Sequence, residues 1–182
     1  IERSIENQKW VYLPGSAMEV DTIAQLLSSK NISSTVLKNK DGSEKSFKKL
    51  IQNFDTLDLL HISTHGFYNN NTETFKELML SEQQLRVDEN PFLNAGLIFS
   101  GANKIVKNPN NLSNFEEDGI LNGIEVAQMN LDKTKLVVLS ACDSGKGKNI
   151  VNEGNYGMVR AFKTAGVDYI ISSLWPVPDN VT

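Results

Sequence analysis

Apolar and polar positions follow two different periods along the chain, and together they predict helices alternating with strands. Apolar residues three or four apart predict helices at 16–27, 43–51 and 152–166, and a short helix within 118–131. Apolar runs predict strands at 9–15, 33–39, 56–66, 135–142 and 167–177. The expected helix signals are Ser16 as first cap, Ser43 or Ser46 as second, and Gly166 as the stop after 152–166.

Three of the predicted strands, 56–66, 135–142 and 167–177, are apolar along most of their length. That pattern is typical of a parallel sheet covered by helices on both faces. In such open sheets, sites lie beyond the carboxyl ends of the strands. His65 and Gly66 end one strand and Cys142 ends another, so we expect them at the same edge of the sheet.

Residues 67–117 have a different character, because they are rich in Asn, Ser and acidic residues. They surround one apolar island at 90–103, for which we expect a strand or hairpin at Leu97–Phe99. So long a loop-rich excursion within a compact domain is usually functional. We expect it to take part in activation or substrate contact.

Composition narrows the class of protein. The 182 residues suffice for one medium-sized domain, and 40% hydrophobic with 22% charged residues is ordinary for a globular protein. A net charge of -4 argues against nucleic acid as a partner, and no apolar run approaches the length of a membrane span. The sequence also lacks the glycine motifs of phosphate-binding loops and dinucleotide sites and the serine-hydrolase elbow.

The single cysteine, Cys142, excludes an internal disulfide and suits a reducing compartment such as the cytoplasm. Free cysteine is often a small buried core residue, and the preceding VVLSA favours that interpretation. The following DSGKG changes the balance, because a nucleophile needs a tight turn, backbone N–H groups and room for a carbonyl. Position and spacing therefore favour a Cys–His dyad.

The two histidines, His61 and His65 in HISTHG, admit three interpretations. A metal site is disfavoured, because four residues of strand separate the rings by about 13 Å. A packed, hydrogen-bonded histidine is the better interpretation for His61 in mid-strand. A catalytic base suits His65, which ends its strand beside Gly66.

The chain resembles the CHAT domain in the order of its motifs. These are LPGSAMEVDTIAQLL, LDLLHISTHG, NAGLIFSGAN, KLVVLSACDSGKG and SLWPVPD. This caspase-like family is often attached to tetratricopeptide repeats and is also similar to separase. The resemblance runs from about Trp10 to Asp179. It implies a caspase-like three-layer α/β sandwich, with a mostly parallel central sheet flanked by helices. We expect one domain over 1–182, with further chain needed beyond its C-terminal end.

The resemblance implies a cysteine endopeptidase acting on a protein substrate without metal or organic cofactor. His65 matches the catalytic histidine of T-H-G, and Cys142 matches the nucleophile of S-A-C-x-S-G. The N–H groups of Gly66 and Cys142 would form the oxyanion hole. An adjoining tetratricopeptide-repeat or sensor domain would regulate the enzyme. A catalytically silent scaffold and a hydrolase or acyl transferase acting on a non-peptide substrate remain the alternatives.

Substrate specificity is open at three positions. Relatives that cut after basic residues often carry an acid two residues before the cysteine, where this chain has Ser140. Asp179 is a candidate to bind a Lys or Arg side chain, or else the cap of a following helix. Trp175 is either a core or rim aromatic or a wall of the substrate pocket.

Overall fold

A computed structural model describes residues 10–68, 92, 95–104, 118–143 and 153–173 of the chain. The helices in these ranges are α1 (Pro14–Ser29), α2 (Glu44–Gln52), α3 (Gly123–Ala127) and α4 (Glu153–Thr164). The strands are β1 (Leu57–Tyr68), β2 (Ala95–Ile98), β3 (Ile120–Asn122), β4 (Thr134–Asp143) and β5 (Tyr169–Ser172). No helix in these ranges is both long and apolar enough to cross a membrane.

The described strands form one sheet in the order β3-β2-β1-β4-β5. β4 lies parallel to β1 on one side and to β5 on the other. β2 runs antiparallel to β1, and β3 runs antiparallel to β2. The predicted α/β class, with helices flanking the sheet, is confirmed. The sheet is mixed, and its parallel part consists of β1, β4 and β5.

The two faces of β1 and β4 have different chemistry, because successive side chains of a strand point to opposite faces. On one face Leu60 pairs with Val137 and Ile62 with Leu139, and these side chains are buried in the main core. Phe162 of α4 packs into the same core and is fully buried. Toward the carboxyl ends of the strands the opposite face carries polar side chains, and these contact α1. Helices on both faces give the three layers.

The start of α1 differs from the sequence-based expectation. Residues 10–13 form no strand, and the helix begins at Pro14, whose fixed φ suits the first turn. The cap position is Leu13 rather than Ser16, and no side chain caps it. The prediction of a strand at 9–15 is therefore wrong over 10–15. No residue of α1 is buried, so this helix contributes little to the apolar core.

The second helix begins as predicted, whereas the strand expected before it is absent. The Ser43 hydroxyl accepts a hydrogen bond from the Ser46 N–H at 3.2 Å, and Phe47 is buried against Phe99. Residues 32–38 have no regular structure, so the strand at 33–39 was a wrong prediction. A β-branched run becomes a strand only where a neighbour pairs with it.

The apolar island forms β2, which begins two residues and ends one residue earlier than expected, and β2 pairs with the end of β1. Gly96 is required there, because a Cβ would lie 2.5 Å from the ring of Phe67. The short β3 was not predicted, and it leads into α3 through a capping box between Asn122 and Glu125. The rest of the 67–117 excursion, namely 69–91, 93–94 and 105–117, lies outside the described residues.

The last described elements confirm one prediction and correct another. Gly166 follows α4 with a φ of +107°, as expected of a helix stop. β5 is shorter than the 167–177 strand predicted, since Ser173 lies beyond it. It is also less buried, with Tyr169 71% and Ile171 58% exposed. In the described ranges, no element covers these two side chains.

Candidate functional site

His65 and Cys142 occupy the same register position on the neighbouring parallel strands β1 and β4. Adjacent strands lie about 4.8 Å apart, so the backbones of these two residues are direct neighbours. The parallel direction brings the carboxyl ends of both strands to one edge of the sheet, as the sequence predicted. The predicted site therefore lies at the edge where open α/β sheets bind their ligands.

The His65 imidazole is held by the segment that precedes α1. Its Nε2 lies 2.7 Å from the carbonyl oxygen of Val11. A carbonyl can only accept, so Nε2 carries the hydrogen. In the neutral ring the basic nitrogen is then Nδ1. The local structure thus selects which nitrogen of His65 can take up a proton.

Trp10 completes this support. Its ring lies 5.3 Å from the His65 ring and 6.3 Å from that of Phe67, measured between centroids. Asn103 fixes the Trp10 backbone with two hydrogen bonds of 2.9 Å, because its amide accepts from the Trp10 N–H and donates to the Trp10 carbonyl. The segment carrying the Val11 carbonyl is therefore tied to Asn103 on one side and continues into α1 on the other.

A second group of polar side chains lies between α1 and the sheet, and we call Glu19, His61, Ser63 and Ser140 the Glu19 cluster. Glu19 Oε1 lies 2.9 Å from His61 Nε2. Its Oε2 accepts hydrogen bonds from Ser63 Oγ at 2.5 Å and Ser140 Oγ at 3.0 Å. The carboxylate of Glu19 is only 14% exposed. One partly buried acid thus bridges α1, β1 and β4.

The cluster settles the interpretation of His61. Its side chain is 15% exposed and is bonded to Glu19, which fits the packed, hydrogen-bonded histidine expected in mid-strand. His65, four residues later, is bonded to a different partner, the Val11 carbonyl. The two histidines therefore belong to separate hydrogen-bonded groups.

The remaining predicted site residues lie in three different situations. Gly66 is buried within β1, in register with Asp143 on one side and Leu97 on the other. Ser140 belongs to the Glu19 cluster. Trp175 and Asp179 lie outside the described residues. The oxyanion and specificity roles of these residues stay predictions.

Val11, Asn103 and Glu19 were not among the site residues predicted from the sequence. Only Glu19 leaves a readable signal, because it shares a helix side with Ile23 and Leu27, each four residues further on. A carboxylate at a helical position that faces the sheet needs hydrogen-bond donors there, because its removal from water otherwise costs free energy. For Val11 and Asn103 no residue pattern gives the contact, since the first acts through its main chain and the second is 93 residues from Trp10.

A separate buried carboxylate, Glu44 of α2, lies only 1% exposed near the start of β3. Burial raises its pKa to about 8, with the neighbouring Glu125 adding to the rise and Lys48 opposing it. Lys48 Nζ lies 2.6 Å from Glu44 Oε1, and the Gly119 N–H donates to Oε2 at 2.8 Å. This group joins α2 to the β3 region and affects stability.

A groove of about 620 Å³ opens where β1 begins at Leu57 and β4 begins at Thr134. Its other lining residues come from the last part of α2, from Glu125 of α3 and, for the most part, from the segments that follow these two helices. The groove therefore lies at the amino ends of the parallel strands, opposite the edge that carries His65 and Cys142.

The sequence as a whole matches a known protein family. The family model for the CHAT domain matches residues 3–182, so the chain belongs to the CHAT domain family. This is a caspase-like family related to peptidases. No curated protein and no solved structure matches the chain.

Proposed function

We propose that this protein is a cysteine endopeptidase in which Cys142 is the nucleophile and His65 the general base and acid. The observation that carries the proposal is the shared register position of the two residues at the carboxyl edge of the sheet. The bond between His65 Nε2 and the Val11 carbonyl supports it, because it leaves Nδ1 to exchange protons with the thiol.

In the proposed reaction, Nδ1 of His65 takes the thiol proton and the Cys142 thiolate attacks a peptide carbonyl carbon. The negative charge moves to the carbonyl oxygen, where the N–H groups of Gly66 and Cys142 would stabilise it. The C–N bond then breaks, and the imidazolium gives its proton to the leaving amine. Water, deprotonated by His65, hydrolyses the thioester and restores the thiol.

The Val11 carbonyl has two roles in this scheme. It holds the ring in one orientation, and its partial negative charge stabilises the imidazolium that forms in each half of the reaction. The tilted Trp10 ring limits the movement of the imidazole from one side. Both effects favour a ring that is already placed before substrate binds.

We extend the proposal to substrate and regulation on the basis of the family resemblance. The substrate is a protein, and Asp179 with Trp175 contributes to the pocket for the residue before the cleaved bond. Ser140 does not supply a carboxylate there, and its hydroxyl is bonded to Glu19. An adjoining repeat or sensor domain controls access to the site, and the enzyme acts in the cytoplasm.

A comparison of cleavage sites in a proteome treated with wild-type protein, Cys142→Ala or His65→Ala tests the proposal. We expect new N-termini with wild type alone. Alkylation of Cys142 by iodoacetamide near neutral pH should also be slower in His65→Ala than in wild type. Identical cleavage patterns in all three samples, with a thiol as slow as a model thiol, would instead indicate a non-enzymatic scaffold.

A further inference from the structure

Glu19 joins the three elements that carry the proposed catalytic groups. It lies on α1, its partners His61 and Ser63 lie on β1, and Ser140 lies on β4. Ser63 pairs with Ser140, and two residues further on His65 pairs with Cys142. The Glu19 cluster therefore occupies the pair of positions preceding the catalytic pair on the same sheet face, about 7 Å away.

Polar contacts take part in holding α1 on the sheet. No residue of this helix is buried, and the apolar Met18 and Leu26 are largely exposed. Burying a carboxylate costs free energy unless donors compensate, and here three side chains surround it. Hydrogen bonds to a charged group are strong and directional, so they define the position of the helix more narrowly than loose apolar contact.

The position of α1 in turn sets the position of the Val11 carbonyl. The helix begins at Pro14, only three residues after Val11. A shift or tilt of α1 therefore changes the distance from that carbonyl to His65 Nε2, since Asn103 fixes only the other end of the short segment. A displacement of about 1 Å in a supporting group can lower a rate about 100-fold.

We propose that Glu19 is a positioning residue for the reaction of Cys142 and His65. Its carboxylate docks α1 on β1 and β4, and the docked helix presents the Val11 carbonyl to His65 Nε2. The kinetic part of this inference rests on the proposed function, whereas the effect on the His65 ring does not. Glu19 itself has no role in contacting substrate.

The test compares wild type with Glu19→Ala, Glu19→Gln and the control Asp21→Ala. Asp21 is a carboxylate on the same helix whose partner is the surface residue Lys38. The first measurement is the ¹⁵N NMR spectrum of His65, which distinguishes a hydrogen on Nε2 from one on Nδ1. We expect a dominant Nε2–H form in wild type and Asp21→Ala, and a mixture of the two forms in Glu19→Ala.

The second measurement is cleavage of a peptide containing a site from the proteome comparison. We expect kcat to fall about 10- to 100-fold in Glu19→Ala with KM within about twofold, and a smaller loss in Glu19→Gln. If Glu19→Ala does not fold, Glu19→Gln supplies both readouts. A wild-type ring spectrum in every Glu19 variant that folds overturns the inference, as does a wild-type kcat in every such variant.

The two proposals fail in different ways. A wild-type protein without Cys142-dependent cleavage contradicts the endopeptidase function, and the ring spectrum then still decides whether Glu19 positions His65. Cleavage by wild type together with an unchanged spectrum and rate in both Glu19 variants contradicts only the role of Glu19.

Discussion

His65 and Cys142 are register partners on neighbouring parallel strands, in the last part of β1 and at the penultimate residue of β4. The two positions are 77 apart in the sequence. The pairing of two apolar strands alone brings them together. A mutation that disturbs this pairing therefore acts on the site without touching either side chain.

The two histidines should respond differently to substitution. We expect His65→Ala to abolish Cys142-dependent cleavage and to change stability little, because its ring is bonded to a single main-chain carbonyl near the surface. His61→Ala should lower the free energy of unfolding by about 1–3 kcal/mol, because Glu19 loses a buried partner. Urea unfolding and peptide cleavage, measured side by side, check this. Equal stability losses in the two variants would contradict the distinction.

Asn103 should affect the rate through the segment that supports His65. Asn103→Ala removes both hydrogen bonds to the Trp10 backbone. We expect kcat to fall several-fold with a stability loss of about 1–2 kcal/mol. Asn130→Ala is the control, because Asn130 is exposed and its bond with a described residue, from the Asp132 N–H, is 3.4 Å long. A change in KM alone would contradict a role in orienting the imidazole.

Glu44 should make stability fall as pH rises. Its pKa is raised from 4.5 to about 8 in the folded chain, so the folded state keeps the proton at pH values where the unfolded chain has lost it. The free energy of unfolding therefore declines between these two values, by an amount on the order of a few kcal/mol. Glu44→Gln should flatten that slope when unfolding is measured at pH 5 and pH 8. An unchanged slope would rule out Glu44 as the cause.

Two glycines with positive φ offer a test of steric contact. Gly166 has a φ of +107°, and a Cβ there would lie 2.8 Å from the Asp132 Cα. Gly101 has a φ of +115° with open space around the same position. Both alanine variants should be destabilised by backbone strain of about 1–3 kcal/mol, and Gly166→Ala by more because of the clash. Thermal unfolding of both variants checks this. Similar stability losses in the two would show that the contact with Asp132 does not add to the effect of backbone strain.

The elements that could be predicted are those whose sequence pattern favours the same structure that packing in the fold requires. β1 and β4 are long apolar runs with a polar stop, and the Ser43 cap follows from a local hydrogen bond within α2. The 33–39 segment shows the opposite case, because its β-branched residues have no strand to pair with. β3 has only three residues, too few to give a pattern of its own.

The same division applies to the candidate site. Strand direction was sufficient to place His65 and Cys142 at one edge. The contacts of the supporting residues could not be read from the sequence, because the bonds from Glu19 to His61 and from Val11 to His65 span 42 and 54 residues. Such contacts follow from how α1 lies on the sheet, and no nearby residue pattern encodes that placement.

The acceptor that orients His65 is a main-chain carbonyl, and every amino acid carries one. The Val11 side chain is 72% exposed, so position 11 can vary widely without losing the acceptor. A scan of single substitutions would consequently show little loss of activity at position 11, although its carbonyl oxygen belongs to the proposed catalytic site. A backbone amide-to-ester replacement between residues 11 and 12, which weakens that carbonyl as an acceptor, is the chemical change that would expose its contribution.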